Sequence, residues 1–204
     1  MRRLTVLLLG LVVGTAVPAA GDPLRQLADA LAGQTAWQAV FEQEYVPAGF
    51  DQGTSEQGVL LLAPPDRLRF EYAEGGVRIF ASDGVVARLV DEEGGACEAV
   101  LIDRATWGRL PLAALMDPGA TAHFFRVEEL PDGFVLTPRE FDPEVASIRV
   151  KAGRQKLPEI VTITDPQGNT NRFGFSRWRP APAPSLDSFR PALPGQTPCP
   201  PERR

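Results

Sequence analysis

The feature that most constrains this chain is a long succession of short alternating segments, each closed by turn residues. In "GVLLLAPPDRLRFEY", residues 58 to 72, Leu68, Phe70 and Tyr72 fall on one face and Arg67, Arg69 and Glu71 on the other. That is the period of a half-buried strand. The same reading extends to Trp37–Tyr45, Gln57–Ala63, Arg67–Ala73, Val77–Ser82, Val85–Asp91, Cys97–Ile102, Ala122–Glu129, Gly133–Pro138, Val145–Lys151, Leu157–Thr164 and Asn169–Ser176. Between them lie "EGG" at 74 to 76, "SDG" at 82 to 84, "EEGG" at 92 to 95, "PDG" at 131 to 133 and "DPQGN" at 165 to 169, all turn chemistry. A twisted meander of about eleven strands has to curl, because open sheets of that size close or fold over.

Curling creates an inside. Its apolar lining is predicted to include Trp37, Phe41, Leu60, Leu62, Leu68, Phe70, Tyr72, Phe134 and Leu136. Each of these taken singly reads as ordinary core; the cavity reading rests on the ensemble. Two helical patches stand outside the meander. "GDPLRQLADALAG" has Asp22 as N-cap, Pro23 at the first helical position, Leu24, Leu27, Ala28 and Leu31 on one stripe, and Gly33 as a stop signal. The second, Ala105 to Asp117, carries Leu112, Leu115 and Met116 and is divided by Pro111. Two short helices are too few to cover a large sheet fully, but suffice to close its mouth. The fold class predicted is therefore mainly β with minor α: an unclosed antiparallel half-barrel of about eleven strands with short helices forming a lid.

The N-terminus sets the compartment. Arg2 and Arg3 precede an apolar run from Leu4 to Val13 and a small-residue stretch ending Val17-Pro18-Ala19, the layout of a cleavable secretory signal over residues 1–19. The run is too short for a membrane helix, which needs about 20 apolar residues. No cysteine follows it, so the usual bacterial lipid-attachment site is missing. The domain is placed at residues 20–178, followed by a proline-rich extension, 179–204, laid over the surface. Without Arg2 and Arg3 the balance is 19 basic to 26 acidic residues, net −7, with no basic cluster, which argues against a nucleic-acid partner. Cys97 and Cys199 form an even pair in a chain bound for an oxidising space, which favours a disulfide over two unrelated thiols.

Catalytic signatures are missing. His123 is the single histidine and reads as a strand residue beside Phe124 and Phe125; it leaves no partner for a zinc site. Neither a G-x-S-x-G elbow nor a Walker loop occurs, and Glu140, Asp142 and Glu144 lack the glycine and spacing of a calcium loop. Asp91-Glu92-Glu93 reads as a charged hairpin tip. The expectation is a non-enzyme with no cofactor and no metal.

One ordered set of motifs carries a resemblance. "WQAVFEQ" (37 to 43), "GVLLLAPPDRLRFEY" (58 to 72), "SDG" (82 to 84), "PLAALM" (111 to 116), "DGFVLTP" (132 to 138), "ITDPQGN" (163 to 169) and "FRPALPG" (189 to 195) together resemble the periplasmic outer-membrane lipoprotein carriers, the LolA family. The resemblance implies an unclosed β-barrel capped by helices in the periplasm of a Gram-negative bacterium. It further implies a monomer whose partners are acylated lipoproteins, an inner-membrane lipoprotein-releasing ABC transporter and an outer-membrane lipoprotein receptor. The lid would be Leu24, Leu27, Leu31, Leu112, Leu115 and Met116. A competing reading is a periplasmic lipid or lipoprotein sensor of the same half-barrel type in envelope-stress signalling. One position departs from the family: the Arg that helps hold its lid shut is replaced here by Pro64, which has neither charge nor N–H to offer.

Overall fold

The computed structural model describes residues 22–103 and 111–201. The proposed signal segment, residues 1–19, and the part of the second helical patch at 105–110 lie outside the described residues.

The strands are β1 (Trp37–Val46), β2 (Thr54–Ala63), β3 (Arg67–Tyr72), β4 (Arg78–Ser82), β5 (Val86–Asp91), β6 (Ala96–Leu101), β7 (Phe125–Leu130), β8 (Gly133–Pro138), β9 (Ser147–Ala152), β10 (Pro158–Thr164) and β11 (Thr170–Pro180). They form a single 11-stranded sheet in the order β6-β5-β4-β3-β2-β1-β11-β10-β9-β8-β7. Every pairing is antiparallel. Neighbours in sequence are thus neighbours in space, except that β1 joins β11 and the sheet breaks between β6 and β7. The chain crosses that break through the segment holding α2 (Pro111–Ala114) and α3 (Pro118–Phe124). An unclosed sheet whose two edge strands are bridged by helices is the predicted half-barrel with its lid. The edges carry Glu98, Arg126, Glu128 and Glu129 exposed, charges that discourage pairing with another chain's strand.

Helix α1 (Pro23–Ala32) forms where its sequence directs: Asp22 Oδ1 accepts from the N–H groups of Leu24 at 3.1 Å and Arg25 at 3.3 Å, and Pro23 takes the first helical position. Its buried stripe is Leu24, Leu27, Ala28 and Leu31. Between β4 and β5, Gly84 has a φ of +90°, the left-handed conformation that the "SDG" turn needs.

Three expectations are corrected. Residues 122 to 124 are the end of helix α3, and the strand begins at Phe125. His123 accordingly sits exposed in the last helical turn. The reason is local: Asp117-Pro118 repeats the cap-plus-proline signature of Asp22-Pro23, and Asp117 Oδ1 accepts from Ala120 N at 2.9 Å. β2 starts earlier than expected, at Thr54, and β11 runs on to Pro180, because both stay paired along the whole of β1. β11 does this through a register shift opposite Gln38 and Val40, with Arg177 at a φ of +55°.

The C-terminal segment is more firmly held than its composition suggests. It crosses the outer face of β2 to β6, the face away from the helices. A short 3-10 turn, Leu186–Phe189, sets Phe189 fully buried against Ala36 and Ala63. Arg69 Nη1 donates to Ser188 O, Arg190 Nε to Asp83 Oδ2 at 2.8 Å, and Arg88 Nε to Cys199 O. Cys97 and Cys199 are joined by a disulfide. Along this course the outer-face residues Ile79, Ala81, Val90 and Ala99 are buried.

Candidate functional site

Strand register decides which side chains share the inner face. Trp37 lies opposite Leu62, Leu62 opposite Leu68, Leu60 opposite Phe70, and Gly58 opposite both Phe41 and Tyr72. On the other limb Phe134 and Leu136 face Val150 and Ile148. Because side chains alternate with period 2, one consistent register puts all of them on the same side. Eight of the nine predicted lining residues (Trp37, Phe41, Leu60, Leu62, Leu68, Phe70, Phe134 and Leu136) are buried in one apolar cluster, and Tyr72 packs against it half-buried. The same cluster contains Leu24, Leu27, Leu31, Leu112, Leu115 and Met116 from the helices. The structure therefore brings the predicted wall and the predicted lid into direct contact, with the helices seated on the inner face.

The centre of the wall is aromatic. Phe41 meets Phe70 and Tyr72 edge-on, at ring-centroid distances of 5.1 and 5.2 Å, and Phe70 and Phe173 lie 5.7 Å apart. Gly58 makes this possible: a Cβ there would stand 2.7 Å from the Phe41 ring and 2.1 Å from Glu71 O. Phe175, Val161, Val150 and Ile148 belong to the same cluster, with Phe173 packed half-buried against it, and none of these was among the predicted lining. Phe173 and Phe175 were readable from the alternation of "NRFGF"; Trp178 was not, because it regains the inner side only through the irregularity at Arg177.

The lid has its own fastenings. Trp37 Nε1 donates to Leu31 O at 2.8 Å, a buried bond from the first strand to the last turn of α1. Thr121 Oγ1 donates to Ala114 O at 2.5 Å, tying α3 to α2. Both are neutral. Near Pro64, whose bond to Pro65 is cis, the lid edge is approached by Met116 and by Ala32 and Gly33 around a shallow hollow of about 470 Å³.

Away from the helices the inner face changes character. Leu89 is 38% and Val100 42% exposed, although both point inward with Phe80 and Ala87. At the far end of β1 to β4 stand Gln43, Glu56, Tyr72 and Arg78. The Tyr72 hydroxyl donates to Gln43 Oε1 at 2.8 Å, Gln43 Nε2 donates to Asn171 Oδ1 at 3.0 Å, and Arg78 pairs with Glu56. Burial pushes the Tyr72 phenol above its ordinary value; Glu56 adds to this and Arg78 opposes it. Tyr72 is thus a neutral donor at physiological pH.

Among the described residues, no cluster of His, Cys, Asp and Glu is arranged to hold a metal ion, and no helix is long and apolar enough to cross a membrane.

Comparison with known proteins fits this architecture. The family model for "Outer membrane lipoprotein carrier protein LolA" matches residues 33–192. The chain belongs to the LolA family. A curated LolA relative, the outer-membrane lipoprotein carrier protein of Xanthomonas axonopodis pv. citri (strain 306), is 28% identical over 198 residues, 92% of this chain and 91% of its own. Among solved structures, an uncharacterized conserved protein from Thermus thermophilus shares the fold at 11% identity and a TM-score of 0.50, over 85% of this chain and 93% of that one. A chain of the MucA/MucB complex of Pseudomonas aeruginosa is 16% identical with a TM-score of 0.47; this chain matches over 83% of its own length and spans 60% of that one. Membership places the protein in the periplasm of a Gram-negative bacterium, within the LolA superfamily of lipid- and lipoprotein-binding proteins, and the superfamily's carriers are non-catalytic.

Proposed function

We propose that this protein takes up the acyl chains of lipoproteins on the inner face of its half-barrel and carries them from the inner to the outer membrane. The observation that carries the reading is that wall and lid form one apolar cluster inside a sheet that stays open between β6 and β7. An acyl chain can exchange with the helices there, apolar surface for apolar surface. Burying each methylene is worth about 0.8 kcal/mol, so a chain of about a dozen gains on the order of 10 kcal/mol, against the loss of the helix contacts it displaces. Family membership and the Xanthomonas relative support delivery as the purpose of that binding, with the inner-membrane lipoprotein-releasing ABC transporter as donor and the outer-membrane receptor as acceptor.

The sensing role in envelope stress uses the same ligand on the same face. Native mass spectrometry of protein purified from the periplasm tests the shared step: bound diacyl or triacyl species are expected, and a stoichiometric small polar ligand would overturn both roles. A transfer assay then separates them. A carrier hands a loaded lipopeptide to membranes bearing the receptor; a sensor keeps it and changes its affinity for a periplasmic protein. Leu89→Glu is the substitution of choice, since Leu89 shares the inner face but is partly exposed. Lipopeptide binding should fall while the melting temperature holds, because a charge opposes an acyl chain there. Leu68→Glu, by contrast, would strike the closed packing itself, Leu68 being 2% exposed against the lid cluster.

A further inference from the structure

The polar end of the inner face has a feature that apolar binding does not explain. Arg78 and Tyr72 are cross-strand partners on the inner face of β4 and β3, and the guanidinium carbon lies 4.2 Å from the Tyr72 ring centroid. One nitrogen of the guanidinium, Nη2, is taken by Glu56. Its Nε is buried and has no hydrogen-bond partner among the described residues. A buried donor without an acceptor is destabilising, and native structures rarely retain one without a reason. The neighbouring groups share the inner face: Gln43 and Tyr72 are bonded to each other, and Asp91 is the cross-strand partner of Arg78 on β5, so a ligand carbonyl reaches Nε only when these side chains part. Register places Arg78 one inner-face step beyond Phe80 and two beyond Ser82, so the wall runs from aromatic to polar along β4.

We propose that Arg78 is a head-group subsite: its Nε–H receives the carbonyl oxygen of an acyl ester, while the chain attached to that ester lies along Phe80, Phe70 and Leu89. The inference rests on the acyl-binding role proposed above and specifies it. An acyl chain in biology ends in an ester or amide carbonyl, an acceptor that loses its water partners when the chain is buried. A neutral or cationic donor at the polar end of an apolar wall meets that need. Glu56 and Asp91 flanking the Arg disfavour a free anion and suit an uncharged carbonyl. Two sources offer this chemistry, an acylated peptide and a phospholipid.

The test compares ester-linked and ether-linked forms of one ligand. The probes are a synthetic dipalmitoylglyceryl-cysteinyl peptide and its dihexadecyl ether analogue, and, in a second arm, dipalmitoyl phosphatidylcholine and its ether analogue. The wild-type protein should bind the ester about tenfold more tightly than the ether, the effect of one hydrogen bond from a charged donor. Arg78→Lys keeps the charge beside Glu56 but loses Nε, and should reduce the gap to under about twofold at an unchanged melting temperature. A readout that needs no variant is the Arg78 Nε–H resonance in ¹⁵N-labelled protein, which should shift with ester and stay with ether. Equal binding of both forms, a gap that survives Arg78→Lys, or an unmoved resonance would overturn the subsite while leaving acyl binding intact. An effect of Arg78→Lys on melting temperature alone would do the same, making Arg78 a brace on Tyr72. Failure to bind either form would overturn the subsite and the acyl-binding reading together. A preference confined to one arm identifies the source.

Discussion

At the scale of single residues, small or buried polar side chains carry consequences that composition does not disclose. Gly58 leaves room for the Phe41 ring; Gly58→Ala would place a methyl group against that ring and the Glu71 carbonyl. Because the clash involves backbone, a destabilisation of about 1 to 3 kcal/mol is expected in urea unfolding; an unchanged midpoint would show that the aromatic cluster can slide. Asp83 is the other case. Burial by itself would raise its pKa, yet the Val86 and Val85 N–H groups and the Arg190 and Arg88 side chains together hold it below the ordinary carboxylate value. A folded-state pKa below the unfolded one, which is about 3.9, gives stability that is complete above that value and is lost as pH falls through the folded pKa. The stability difference between the wild type and Asp83→Asn should therefore be constant from pH 8 to about pH 5 and shrink below about pH 4. A difference that grows on acidification would contradict this assignment.

At the scale of elements, the proposed lid role of the two helical coverings turns on how they are fastened. The resemblance implies a charged latch at the position of Pro64, which has no charge; the fastening present in this structure is the neutral Trp37 Nε1 bond to Leu31 O. That bond was not legible in the sequence: Trp37 read as wall, and nothing in its spacing indicates that its N–H reaches the turn six residues before it. The lid's third helix was legible in principle, since Asp117-Pro118 repeats Asp22-Pro23; the apolar pair Phe124-Phe125 obscured it by mimicking a strand start. A latch of neutral groups and apolar contact is screened little by salt. In Trp37→Phe, the Leu31 carbonyl is left buried without its donor, which weakens closure by about 1 to 3 kcal/mol. Amide exchange in residues 23 to 32 should then accelerate by about fivefold to a hundredfold relative to the central strands, at low and high salt alike. Uniform acceleration of helix and strands would mean that Trp37 supports the whole core and not the lid.

At the scale of the molecule, the sheet has two coverings of opposite kind. The inner face is closed by helices seated in the apolar cluster, α1 tied by the Trp37 bond to Leu31 O and α3 also by Arg139 Nε donating to Ala122 O at 3.1 Å. The outer face of β2 to β6 is closed by the C-terminal segment through Phe189, the Asp83–Arg190 ion pair and the Cys97–Cys199 disulfide. The succession of hairpins and the curl were readable because most strands alternate and most turns carry glycine or proline, which is local chemistry, whereas the join of β1 to β11 is distant in sequence and was not predicted. How the tail docks was not, because Phe189 and Arg190 find partners that are distant in sequence and only the finished sheet assembles them. On the proposed function this division predicts that ligand displaces the covering that no covalent bond holds, while the disulfide-linked one stays in place. Breaking the disulfide tests this. The bridge spans 102 residues, and constraining a loop that long in the unfolded chain is worth about 4 to 5 kcal/mol. Cys199→Ser should lower the melting temperature by well over 5 °C, leave both faces assembled at 25 °C, and leave lipopeptide binding within about twofold of the wild type. If binding falls in step with stability, the tail is part of the ligand site and the two coverings are not independent.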